Sequence, residues 1–360
     1  MNIQYEVDNS KRNIGLDMLR IIAMAMIVAF HYQIHVSNDT AMFTSPSWKQ
    51  ALLILFGSWG VYGSNYFWAV SAYYLSEKKT ISYTKILELF IKTSIFATVL
   101  YLFVCFGGFS SFSFINLMKC ILAVFTYQYW FVSAWIIMAL IFPLINKAIE
   151  SLDKNTYSIL LIVLFLFFFI YASIFGFDLS GRLGCAIWIY LSVNFIKKYY
   201  ESMCINTRAW TLILLICLFV NISYELLVEM LNLYDKKYIY IFENGASPTA
   251  AIGAIALLFI GMNFKFDKTP KAITKVIIAG GKHSIGIFLI CFPAVVSRTL
   301  VYDTFMLGNY FYKQNLVTWF ISYILTICLV CIVGIGCDFF YEITIGNFIK
   351  KRLKNKIGGN

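Results

Sequence analysis

Charged residues make up only 13% of this 360-residue chain, about half of what a soluble domain carries. With 60% hydrophobic residues and a mean hydropathy of +0.76, a soluble globular fold is excluded. No internal repeat, low-complexity tract or separate soluble domain stands out. No cleavable signal is expected, because the polar first dozen residues run straight into a full-length apolar span. Metal-ligand spacing is missing as well. His31 and His35 lie one turn apart, but no further His or carboxylate stands at a recognisable distance from them, so no metal is expected. The nine cysteines lie mostly in apolar runs, where thiols behave as small hydrophobes. Cys328 and Cys331 form a C-x-x-C inside a span with no His or acid beside it, against a redox or metal role. The net charge of +11 suggests nucleic acid, but the cations are scattered among short loops. That distribution suits membrane orientation and anionic lipid instead.

What is present is a series of apolar runs near twenty residues long, the pattern of an all-α polytopic membrane protein. Ten spans are expected, at about 15–36, 51–76, 86–106, 129–147, 157–176, 182–197, 209–230, 247–263, 276–297 and 316–340. They make one membrane domain over 1–360, with short polar tails at 1–13 and 341–360. The short apolar stretch Phe114–Phe125 is expected along the interface or as a re-entrant segment. One set of alternate loops carries most of the Lys and Arg, which predicts both termini in the cytoplasm.

The first span, LDMLRIIAMAMIVAFHYQIHV from Leu16 to Val36, holds Asp17, Arg20, His31 and His35, residues that a purely anchoring helix avoids. At about 100° per residue, Arg20 and His31 fall within roughly 20° of one direction and about 16 Å apart along the axis. Asp17, Met24, Ile27 and His35 share that side. A guanidinium and an imidazole turned toward one wettable interior are therefore expected. His31 suits general-base removal of a hydroxyl proton, and the plainer reading is a histidine bonded to a neighbouring carbonyl. Arg20 suits phosphate or carboxylate binding, or an ion pair with Asp17 at i, i+3.

These residues resemble the first-span signature of the acyltransferase 3 family, in which Arg and His stand as R-x10-H. Three further stretches follow in the family's order. YFWAVSAYYLSEK (66–78) is similar to its F-F-x-x-S-G-x-L stretch, with Trp68, Ala72 and Tyr74 replacing Phe, Gly and Leu. YWFVSAWIIMALIFPLIN (129–146) resembles its W-F-L-x-x-L…P segment through Trp130, Phe131 and Pro143. GKHSIGIFLICFPAVV (281–296) resembles its G-x-x-S-x-G-I-Y-L-x-H segment, with Phe288 for Tyr and Cys291 where many members have His.

The resemblance implies a ten-span membrane enzyme that moves an acyl group, usually acetyl from cytoplasmic acetyl-CoA, to a hydroxyl of a bacterial surface sugar. It implies no bound cofactor, with acyl-CoA as donor substrate and a glycan or lipid-linked sugar as acceptor. His31 and Asp17 are then the candidate catalytic residues, and Arg20, Lys78 and Lys79 the candidate donor-binding ones. Arg182, His35, Trp130 and Arg298 are candidates for gripping the acceptor. The extracytoplasmic hydrolase-like domain that some members append is not expected here, which implies transfer by the membrane domain alone or with a separate partner. Ser71 and Ser133 are the candidate nucleophiles for an acyl-enzyme, though Ser also packs membrane helices. Glu225 and Glu229 are expected at a solvated interface, and Asp338 and Glu342 against the basic tail. The alternatives are a glycan transporter lined by the first-span stripe, or a non-catalytic component of a glycan-assembly complex.

Overall fold

The computed structural model describes residues 12–37, 48–171, 181–200, 206–231, 247–291 and 315–357, and every regular element among them is helical. In chain order these are α1 (Ile14–Ser37), α2 (Trp48–Gly57), α3 (Gly60–Leu75), α4 (Tyr83–Phe106), α5 (Phe114–Ile121), α6 (Trp130–Glu150) and α7 (Lys154–Phe165). Then follow α8 (Gly181–Tyr199), α9 (Thr207–Met230), α10 (Pro248–Met262), α11 (Lys271–His283), α12 (Ile285–Cys291), α13 (Leu316–Tyr341) and α14 (Asn347–Ile357). Single π-helical turns extend α7 over Leu166–Tyr171 and join α13 to α14 over Glu342–Gly346.

The first helix is the axis of the bundle, packing against α2, α3, α10, α11 and α13. Asn13 starts it: Oδ1 accepts the Leu16 amide at 3.1 Å as an N-cap, while Nδ2 donates to the Met262 carbonyl at 3.1 Å. Leu16, Leu19, Met24, Val28 and Tyr32 are buried. Small residues let the neighbours come close, as membrane helices require in the absence of a hydrophobic drive between them. A Cβ on Gly63 of α3 would lie 2.4 Å from the Ala23 carbonyl oxygen, so the α1–α3 approach depends on that glycine.

Six helices among the described residues are long and apolar enough to cross a membrane, and the pair α11–α12, bent by 47°, makes a seventh if counted as one span. The predicted span 51–76 is two helices, α2 and α3, broken at Ser58–Trp59. Residues 247–263 form α10, only fifteen residues long and nearly all buried. A helix enclosed by protein can be short or carry polar groups without meeting lipid, whereas a long apolar face is needed outside. Such faces are present: Val99, Phe103 and Phe106 on α4, Leu215 and Phe219 on α9, and Leu325 and Ile332 on α13 are exposed. Ser247 caps α10 by accepting the Ala250 amide, with Pro248 at its first position, the helix start that the Ser-Pro pair predicts. Of the expected tail, residues 342–357 continue as helix and α14 lies along α4. Within Phe114–Phe125, α5 turns Phe114, Ile115, Met118 and Ile121 outward and buries Cys120.

Candidate active site

At the start of α1, Asp17 is 1% exposed and held by two arginines. Arg20 donates from Nη1 to Oδ1 at 2.9 Å, and Arg12 donates from Nε to Oδ2 at 2.5 Å. A second Arg12 nitrogen reaches the Ile278 carbonyl at 3.0 Å, tying this knot to α11. The i, i+3 pair is therefore formed, and Arg20 still keeps a side chain 26% exposed for a ligand. Both carboxylate oxygens of Asp17 are engaged by guanidinium. About 21 Å of helix rise separates it from His31, out of reach of the imidazole.

Arg20 borders two adjoining cavities. The larger, about 570 Å³, is enclosed by α1, α3, α6 and the α11–α12 bend, with Arg12, Asp17, Arg20 and Lys282 as its charged residues. The second, about 400 Å³, lies against the loop from α3 to α4 and holds Arg20, Lys78 and Lys85. Ser71, Tyr74 and Trp135 border both. Trp135 donates its indole N–H to Ser71 Oγ at 3.1 Å, and the Arg20 guanidinium stands 6.0 Å from the centre of the Tyr74 ring. Both volumes are in the range of small-molecule sites.

The loop carrying Lys78 is held from below. Asn146 Nδ2 donates to the carbonyls of Leu75 and Lys78 at 3.2 and 3.1 Å, while its Oδ1 accepts from Tyr190 at 2.7 Å. Lys197 donates to the Tyr73 carbonyl at 2.9 Å and pairs with Glu77 at 2.7 Å. These bonds satisfy carbonyls that the end of α3 leaves open.

Gly281 makes the larger cavity possible. A Cβ there would lie 2.5 Å from Asp17 Cβ and 2.8 Å from its Cα. Gly281→Ala should therefore push α11 off α1, with a loss of about 1–3 kcal/mol. Thermal unfolding in detergent reads this out, and an unchanged transition would show that the close approach is not under constraint.

The candidates separate clearly. Arg20 and Lys78 border a cavity and Lys79 borders neither, while both lysines are exposed. His31 is half-buried with its Nδ1 enclosed, on the same unbroken helix as Arg20. It lines neither cavity; the buried Met24 and Ile27 lie between the two residues along α1. Arg20 thus opens on these two cavities, and His31 opens on neither. Trp130 is buried at the start of α6, edge-on to Phe131 at 5.8 Å, and faces neither cavity. The side chains of His35 and Arg182, and all of Arg298, lie outside the described residues. Ser133 is committed to the Val124 carbonyl at 2.5 Å, while Ser71 sits on the cavity wall.

Two pairings differ from expectation and a third agrees with it. Glu225 is 6% exposed and accepts from Ser58 Oγ at 2.8 Å, so it is a buried residue rather than an interfacial one. Asp338 pairs not with the tail but with Lys92 Nζ and His283 Nδ1, both at 2.7 Å, joining α4, α11 and α13. Glu342 does meet the tail, at Lys350, and also Lys282 at 3.7 Å. Sequence reasoning passed over Arg12 and Lys282 as cavity residues, and over Lys92 and His283 altogether. The available signal was charge inside an apolar run, which demands a buried partner. Among the described residues no group of three or more His, Cys, Asp or Glu is placed to hold a metal ion.

A sequence model of the acyltransferase 3 family, described as an acyltransferase domain, matches residues 13–335. No curated protein and no solved structure matches the chain. The match begins at the Asn13 cap of α1, takes in every residue bordering the two Arg20 cavities except Arg12 and ends within α13, so this chain belongs to the acyltransferase 3 family.

Proposed function

We propose that this membrane acyltransferase takes an acetyl group from acetyl-CoA and transfers it to a hydroxyl of a bacterial cell-surface polysaccharide or its lipid-linked precursor. The observation that carries the donor half is the pair of cation-bordered cavities meeting at Arg20. Guanidinium and ammonium groups on a partly enclosed apolar wall suit a phosphate-bearing donor. The cation-rich loops, which include the one carrying Lys78, support a cytoplasmic side for this entrance and a bacterial cytoplasmic membrane as the location. Acyl-CoA acts here as a substrate, with no resident cofactor.

In the proposed reaction the long pantetheine arm carries the thioester from the Arg20 end toward His31. His31 takes the proton of the acceptor hydroxyl as its oxygen attacks the thioester carbonyl. The C–S bond breaks, the ester forms, and the CoA thiolate leaves to be protonated. Asp17 keeps Arg20 oriented throughout by holding one Nη1.

The test is acetyl-CoA turnover by the purified full-length protein in detergent, followed as free CoA thiol, with and without surface polysaccharide as acceptor. Acetyl ester appearing on the polysaccharide, with matching thiol release, is the expected result. A transporter or scaffold releases no thiol, and that outcome would overturn the proposal. Comparing the mass of surface polysaccharide from cells with and without the protein identifies the acceptor through a missing acetyl group.

A further inference from the structure

The second cavity carries an imbalance that the larger one does not. In the larger cavity Asp17 offsets part of the charge of Arg12 and Arg20. The second is bordered by Arg20, Lys78 and Lys85 and by no carboxylate among the described residues. Neither Lys78 nor Lys85 makes an ion pair there among the described residues. On its other side Lys85 borders a small cavity of about 150 Å³ with Glu88 and Glu342, yet it pairs with neither. Two hydroxyl residues, Thr80 and Ser82, complete the polar rim. Ser82 is the N-cap of α4, but its side chain makes no capping bond. The first amides of α4 have no acceptor within the helix, and the helix dipole favours negative charge at that end.

We infer that this second cavity is a phosphomonoester subsite that reads the 3′-phosphate of the CoA donor, with Lys78 and Lys85 as its specificity-determining residues. The inference rests on the acyl-CoA reading above and deepens it. A phosphomonoester brings a charge of about −1.5 to −2 at pH 7 and three acceptor oxygens. The pyrophosphate of the same donor carries further negative charge, suited to the Arg12, Arg20 and Lys282 side of the shared wall. Free cations in a partly buried cavity repel one another until an anion arrives. The pKa of Lys78 is lowered, first by burial and then by the neighbouring Lys85 ammonium, and a bound phosphate would reverse that push. Asn146 fixes the Lys78 carbonyl, so the loop offers its ammonium from a braced backbone.

The experiment compares acetyl-CoA with acetyl-3′-dephospho-CoA on the full-length protein in detergent, reading thiol release. The wild type should show a KM about 10–100-fold higher for the dephospho donor, as loss of one or two charge-assisted hydrogen bonds implies. Lys85→Ala and Lys78→Ala should raise KM for acetyl-CoA by a similar factor and leave KM for the dephospho donor nearly unchanged, so that the preference collapses. Lys85→Arg should retain it. Adenosine 3′,5′-bisphosphate should compete with acetyl-CoA in the wild type and far more weakly in Lys85→Ala, whereas inorganic phosphate at equal concentration should compete poorly in both. Equal use of the two donors by the wild type, or equal loss on both donors in the alanine variants, would overturn the subsite while leaving the acyl-CoA reading standing. Competition by inorganic phosphate as strong as by the bisphosphate would also overturn it, pointing to a generic anion site. Release of thiol from neither donor would overturn both readings together.

Discussion

His31→Ala should reduce acyl transfer by about 10²–10⁴-fold, the usual contribution of a positioned general base. An acceptor hydroxyl is a poor nucleophile until its proton is taken, and a neutral imidazole nitrogen is a suitable proton acceptor. Asp17 is no substitute, because two arginines occupy its oxygens. The variant is expected to fold, since His31 is only half-buried and the buried residues around it on α1, Val28 and Tyr32, remain. His31→Gln separates basicity from hydrogen bonding and should be similarly inactive. The measurement is ester formation with thiol release, alongside thermal unfolding to verify folding. Undiminished transfer by a folded His31→Ala would remove the imidazole from the mechanism, whatever the fate of the donor cavities.

The largest effect on stability is expected at Asp338. Its carboxylate is 1% exposed, with Lys92 on one oxygen and His283 on the other, each at 2.7 Å. Lys92 is also 5.2 Å from the centre of the Tyr341 ring. Asp338→Ala takes the paired carboxylate from a part-buried ammonium and from His283, leaving Lys92 only the more distant Glu88 and Glu342 across a small cavity, and should cost about 3 kcal/mol, the lower end of the penalty for removing one partner of a buried pair. Asp338→Asn keeps an acceptor for one neighbour and should lose less. Unfolding of both variants in detergent gives the comparison, and an Asp338→Ala transition equal to wild type would mean that the cluster is solvated. His283 is the last residue of α11, and Ser284, on the bend, hydrogen-bonds the Gly281 carbonyl at 3.0 Å. Loosening the cluster therefore also frees the wall carrying Lys282, so donor KM should rise in any Asp338 variant that still folds.

Much of this protein was legible in its sequence. Scarce charge and repeated apolar runs demand a helical membrane protein, because hydrocarbon leaves backbone amides no other partner. The Arg20–Asp17 pair needed only the i, i+3 rule. The order of four short motifs was enough to suggest the family. Tertiary structure decided the rest. The run 51–76 reads as one span because hydropathy does not register the break at Ser58–Trp59. That Arg12 closes on the second oxygen of Asp17 is set by how the start of α1 packs against α11, which spacing does not show. Lys92, His283 and Asp338 meet from 55 to 246 positions apart, and Lys282 borders the larger cavity beside the α11–α12 bend. One-dimensional pattern reports which face of a helix is costly to expose to lipid. Only packing decides which other helix supplies the compensating charge.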